Sequence, residues 1–295
     1  MKYKALVYIV FILIASVSVA QTTASQTQIL IRCDDIGMSH AVNTAAKKVL
    51  DAGFPVSMSV MAPCAWFTEA ADILKQYKNV SVGIHLTLNA EWKNYRWGPV
   101  SGVTKVPSLV DSLGNFFPSR SLLFGNHHKL EEIETELRAQ IERALKAGLK
   151  IDYLDYHMGA AVQNLDTRKV VEKLAAEYKL TISRYYGEED TDIGYFASPE
   201  HKTDTLLART KTMKEGGIKL FVFHVGMDTP ELAAMEDLNP FGPKEMSKHR
   251  NAEMNALLSK PFQEFVNDAK HRLVNYKILV QEKGLTAMQR PDIKE

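Results

Sequence analysis

Short apolar runs alternate with amphipathic helical segments along most of this chain, and several of the runs end in polar, chemically capable side chains. Gln28 to Cys33, Val56 to Met61, Val80 to Leu88, Ile151 to Tyr156, Leu180 to Arg184 and Leu220 to His224 have the length and β-branched content of buried strands. A helix capped by Ser39 follows the first, with Val42, Ala45, Ala46, Val49 and Leu50 on one face and Gly53 as its stop. Further helical patterns run over Phe67 to Tyr77, Lys129 to Ala147, Thr167 to Tyr178, Ala252 to Leu258 and Phe262 to Gln281, with Pro261 between the last two. Strand and helix in alternation make a parallel sheet with helices outside it. The number of such units favours an α/β fold of the TIM-like (β/α) barrel kind, closed or irregular, over an open doubly wound sheet, although periodicity alone does not separate them. No glycine-rich phosphate loop follows the first strand, which argues against nucleotide binding.

The strand ends supply the functional signal. The first closes in Asp34-Asp35 before Ile36-Gly37, the third carries His85, the fourth ends in Asp155-Tyr156-His157 and the sixth in His224. In parallel α/β folds these carboxyl ends converge on one face, where active sites form. Neighbouring residues of a strand point to opposite faces, so Asp34 and Asp35 reach one ligand only if the turn at Gly37 redirects one of them. Two carboxylates so close would hold a proton between them unless a cation intervenes. A divalent metal ion held by Asp35, His85 and His157 answers that need and leaves positions open for water and substrate. The mixed nitrogen and oxygen set favours zinc, with magnesium possible though it prefers oxygen ligands.

Between Glu91 and His128 the alternation breaks. The stretch holds Trp92, Tyr95, Trp97, Phe116, Phe117 and Phe124 among Gly, Pro, Ser and Asn. Its aromatic content predicts an ordered insertion after the third strand rather than a disordered loop. Trp92 and Trp97 are expected to face the pocket as substrate-binding residues. Arg184 is a further candidate substrate contact, with an inter-strand salt bridge as its alternative.

At the ends, Lys2 and Lys4 precede an apolar run from Ala5 to Ala20 that closes in small residues. This reads as a signal peptide over residues 1–20, because a membrane span needs roughly 20 apolar residues. A linker over residues 21–28 and one domain over residues 29–290 would follow, in a protein exported to the periplasm or secreted. The 36 basic and 35 acidic residues nearly cancel, so no broad field gathers nucleic acid or an anionic membrane. No nucleic-acid partner and no stable membrane anchor are expected. Cys33 and Cys64 are the only cysteines, too few for a disulfide framework; two buried thiols or a single bridge both fit.

At these same residues the sequence resembles the YdjC-like carbohydrate deacetylases, the family that includes chitooligosaccharide deacetylase. The resemblance is carried by Cys33-Asp34-Asp35-Ile36-Gly37, Gly83-Ile84-His85-Leu86, Leu154-Asp155-Tyr156-His157 and His224-Val225-Gly226, with Arg250 and Glu253 before the last helices. It implies a TIM-like barrel, a metal on Asp35, His85 and His157, and Asp34 as general base. It departs from the family after His157, where Met158-Gly159-Ala160 replaces further histidines, and at Val225, where proline is usual. The expected reaction is metal-assisted removal of an N-acetyl group from an acetylated mono- or oligosaccharide, with His224 protonating the departing amine. The alternatives are hydrolysis of another ester or phosphoester, or a carbohydrate-binding barrel without catalysis.

Overall fold

The structure, a computed structural model, describes residues 26–292; the expected signal peptide lies outside the described residues. The elements follow in the order β1 (Thr27–Ile36), α1 (His40–Asp51), β2 (Val56–Val60), α2 (Phe67–Leu74) and β3 (Val80–Leu86). A long connection then contains α3 (Arg120–Gly125) and leads to α4 (Leu130–Lys146), β4 (Tyr153–Tyr156), α5 (Leu165–Tyr178) and β5 (Thr181–Ile182). The last third holds β6 (Glu188–Thr191), α6 (Lys202–Thr212), β7 (Ile218–Phe223), α7 (Pro230–Ala233), α8 (Met246–Leu258), α9 (Lys260–Val266), β8 (His271–Val274) and α10 (Tyr276–Lys283).

All strand pairings are parallel, in the order β5-β4-β3-β2-β1-β7-β6. Strand β7 takes one edge of β1, while β8 and β2 share the other, β8 beside Thr27–Leu30 and β2 beside Arg32–Ile36. Residues 183–187 alone join β5 to β6, the two ends of that path. A connection of that length reaches about 20 Å, whereas six gaps in a flat sheet span roughly 29 Å. The sheet is therefore curled. It forms a half-barrel rather than a closed one, since β5 and β6 do not pair among the described residues.

Two strands escaped the sequence reading. Strand β6 is Glu-Glu-Asp-Thr at the sheet's edge, with no apolar signal, and β8 lies inside the stretch expected as one helix from Phe262 to Gln281. There, pairing with β1 overrides local helical preference, and Asn275 caps a separate α10 through the Ile278 N–H. Helix α6 was also unexpected. The expected linker is shorter than proposed, because Thr27 and Gln28 already belong to β1.

Side chains outside the sheet pack against the helices, and a second cluster of Leu30, Tyr153, Leu220, Val274 and Tyr276 fills the hollow of the curl. Gly83 makes room there: a Cβ on it would lie 2.3 Å from the Tyr153 ring. The Tyr153 hydroxyl is 2.7 Å from Ser59 Oγ, and its ring lies 4.2 Å from that of Tyr276. Cys33 and Cys64 are separate buried thiols.

Candidate metal centre and its surroundings

The adjacent aspartates reach one site because β1 bulges. Its register against β2 advances three residues, Cys33 to Ile36, while β2 advances two, Met58 to Val60. The extra residue is accommodated at Asp35, whose φ of +66° is left-handed, a conformation that aspartate tolerates better than most residues. Period-two alternation is lost at this point, and the Asp35 carboxylate turns to meet His85 and His157.

Asp35 Oδ1 lies 3.1 Å from His157 Nδ1 and 3.3 Å from His85 Nε2, and the two ring nitrogens are 3.3 Å apart. Donor atoms about 2.1 Å from one cation stand roughly 3.0–3.4 Å from each other at octahedral or tetrahedral angles. The three side chains thus fit a single divalent ion. They are buried, at 1%, 2% and 4% exposure, so their cluster is not an incidental surface grouping.

Each histidine has a carboxylate behind it. Asp155 Oδ2 is 3.0 Å from His85 Nδ1, and Glu91 Oε2 is 2.9 Å from His157 Nε2. Such partners fix ring orientation and raise ligand basicity. Burial opposes charging of His85, but Asp155 and Asp34 outweigh it and raise its pKa to about 10. Burial likewise opposes His157, and Glu91 with Asp35 lifts it to about 9. The other oxygen of Asp35, Oδ2, accepts a 2.6 Å bond from Arg250 Nη2. Burial works against the Asp35 charge, and Arg250 with His157 more than offsets it, holding the carboxyl well below its usual range.

Asp34, His85 and Asp155 could in principle form another cation cluster. A guanidinium already occupies that role. Arg32 donates to both Asp34 oxygens at 2.7 Å, approaches Asp155 Oδ2 at 3.1 Å and donates to Ser183 Oγ at 2.6 Å. Burial would protonate Asp34, but Arg32, then His85, and more weakly His224, hold it ionised far below the usual range. Arg32 stands two residues before Asp34 and so shares its face. A lone arginine in an otherwise apolar strand was the readable signal for this partner.

His224 follows β7 and is partly exposed, with its backbone N–H donating to Glu253 Oε2 at 2.8 Å. Its ring meets that of Tyr195, 5.5 Å between centroids, a residue the sequence reading did not single out. Lys202, 1% exposed, binds the other Glu253 oxygen at 2.9 Å and the Tyr195 carbonyl at 2.6 Å. One buried ion pair therefore fixes the loops after β6 and β7 together.

The three expected sugar contacts have other partners here. Trp92 is 1% exposed with Arg250 lying 5.7 Å from its ring centre, so its indole presents no free face. Trp97 is 5% exposed, donates to the Asn89 carbonyl at 2.9 Å and packs edge-on against His157. The insertion is fastened to α4, where Glu136 accepts from the Val100 and Ser101 N–H groups and Glu132 from that of Ser108. Arg184 takes the salt-bridge alternative: its guanidinium is bidentate with Asp190 at 2.7 and 2.8 Å, tying the end of β5 to β6.

Fold and site together define a curled parallel α/β half-barrel with a buried carboxylate–histidine–histidine cluster, fit to hold a cation, at the carboxyl ends of its strands. Residues 28–268 match the family described as YdjC-like protein, and the chain belongs to that family. A carbohydrate deacetylase of Brevibacillus brevis is 34% identical over 157 residues, covering 52% of this chain and 58% of that protein. The chain thus spans little more than half the length of that relative. A carbohydrate deacetylase of Thermoanaerobacter pseudethanolicus is 26% identical over 265 residues, covering 85% of this chain and 98% of the relative. A solved structure from Enterococcus faecalis, provisionally described as a cellobiose-phosphate cleavage protein, superposes with a TM-score of 0.72. It is 24% identical and covers 86% of this chain and 99% of its own, a likeness of fold.

Proposed function

We propose that this chain is a divalent-cation-dependent deacetylase that hydrolyses the N-acetyl group of an acetylated mono- or oligosaccharide. The observation that carries the reading is the close packing of Asp35 Oδ1, His85 Nε2 and His157 Nδ1 at one cation's ligand spacing, with Asp34 close to His85. The family and its deacetylase relatives support the same reading. Zinc suits the donor set best.

When bound, the cation supplies positive charge that polarises the acetyl carbonyl and acidifies water. The rest falls to the protein. Asp34, kept ionised and aimed by Arg32, accepts the proton of the attacking water. His224 gives a proton to the departing sugar nitrogen, which leaves as an amine rather than an anion. Arg250 holds Asp35 in place through its second oxygen, while Trp97 and the insertion exclude bulk water around His157.

The test is acetate release from N-acetylglucosamine and its oligomers by zinc-reconstituted protein, with release from ester and phosphoester substrates run in parallel. Acetate from the amides alone supports the reading; phosphate or ester turnover without amide cleavage replaces it. Export is proposed from the basic, apolar N-terminal segment, and N-terminal sequencing of extracellular or periplasmic protein tests it.

A further inference from the structure

The aromatic residues expected to stack on sugar are buried, which leaves open what receives the saccharide outside the reaction centre. On the loop after β6, Phe196 is 77% exposed, unlike the indoles of the insertion. Its ring meets Tyr195 edge-on with centroids 5.0 Å apart, and Tyr195 in turn packs on His224 at 5.5 Å. A single exposed aromatic is ordinary on a protein surface. This one sits on a rigid mount beside a candidate acid.

The mount is built from several independent contacts. Gly194 N donates to Asp192 Oδ1 at 2.8 Å, and Ala197 N closes a turn on the Gly194 carbonyl at 2.9 Å. Gly194 has φ +79°, and a Cβ there would lie 2.5 Å from Thr205 Cγ2, so the turn admits no larger residue. Lys202 binds the Tyr195 carbonyl and also lies 5.3 Å from the centre of its ring. A preorganised ring loses little freedom when a ligand covers it.

The chemistry of the leaving group gives the ring an occupant. A donor that protonates the departing nitrogen stands on the side of the sugar, not of the acetyl group. A saccharide running from His224 along Tyr195 would reach Phe196, whose ring adjoins that of Tyr195, and a pyranose has an apolar C–H face suited to an aromatic ring. We propose that Phe196 is a stacking platform for the sugar residue next to the one deacetylated, and that it makes the enzyme prefer an oligosaccharide to a monosaccharide. The inference rests on the deacetylase reading and deepens it.

The test compares wild type, Phe196→Ala and Phe196→Trp, all zinc-loaded, on N-acetylglucosamine and N,N′-diacetylchitobiose. Acetate release gives kcat and KM, and calorimetry gives disaccharide binding. The ratio of kcat/KM for disaccharide over monosaccharide should fall about tenfold in Phe196→Ala, the scale of one aromatic contact, mainly through KM. Phe196→Trp should restore it. Equal effects on both sugars, or none, with wild-type turnover intact would overturn the platform and leave the deacetylase reading standing. Weakened disaccharide binding in Phe196→Ala, in a protein that releases no acetate, would uphold the platform and overturn the deacetylase. Absence of disaccharide binding and turnover in wild type would overturn both.

Discussion

Replacing Trp97 with alanine separates a packing role from direct contact with substrate. The indole is 5% exposed, lies edge-on to Tyr95 and His157 at 6.3 and 6.2 Å, and donates its only polar hydrogen to the Asn89 carbonyl. A buried tryptophan covers about 200 Å² of surface, worth roughly 5 kcal/mol at 25 cal/mol per Å². Measured truncations of buried large aromatics lose about 3–5 kcal/mol, and an orphaned carbonyl adds to that. For a domain of this size the loss corresponds to a drop in Tm on the order of 10 °C. Calorimetry of zinc-free protein isolates packing, and zinc titration then reads the slack given to His157. The expected result is a large fall in Tm together with weaker zinc affinity. A Tm within about 1 °C of wild type, with oligosaccharide turnover reduced, would refute the packing argument and return Trp97 to the role of a sugar contact.

Glu91→Ala should weaken zinc affinity roughly 10- to 100-fold, since it frees the His157 ring, while Glu91→Gln retains part of the contact; competition with a chromophoric chelator measures both. Unaltered affinity in both variants would remove Glu91 from the site's support. Asp34→Asn should keep stoichiometric zinc yet lose roughly 10²–10⁴-fold in turnover, and near-normal acetate release would exclude Asp34 as the base. Zinc binding should release protons near pH 7. In the metal-free protein the pKa values of His85 and His157 are raised to about 10 and about 9, so protons compete with the cation below those values and affinity climbs with pH toward them. Binding heats independent of the buffer's ionisation enthalpy would contradict this.

The site was legible in sequence where chemistry coincides with a strand terminus. Asp35, His85 and His157 end or close apolar runs, and parallel topology brings such ends together whatever the details between them. Asp35 meets the two histidines because of a bulge, and Gly37 was only an indirect sign of it: the left-handed residue is Asp35 itself. The supporting residues were harder to see. Glu91 begins a loop without regular period, and its bond to His157 depends on how that loop folds back. Arg250 and Glu253 were marked by resemblance, but their contacts with Asp35 and His224 require α8 to dock against β1 and β7. Burial of Trp92 and Trp97 could not be read from local spacing, because it depends on distant partners: Trp92 bridges to Asp237 and lies against Arg250, and Trp97 packs on His157. Strands β6 and β8 have the same explanation, since an acidic edge and a four-residue pairing carry almost no local signal.

Crystals soaked in zinc and measured on both sides of the zinc absorption edge test the central claim most directly. The account predicts one anomalous peak in the mouth of the barrel, about 2.0–2.2 Å from Asp35 Oδ1, His85 Nε2 and His157 Nδ1. The same peak should be absent from His157→Ala crystals, with acetate release lost alongside it. A peak bound instead by Asp34 and Asp155, or one that persists at full occupancy without His157, would contradict the assignment.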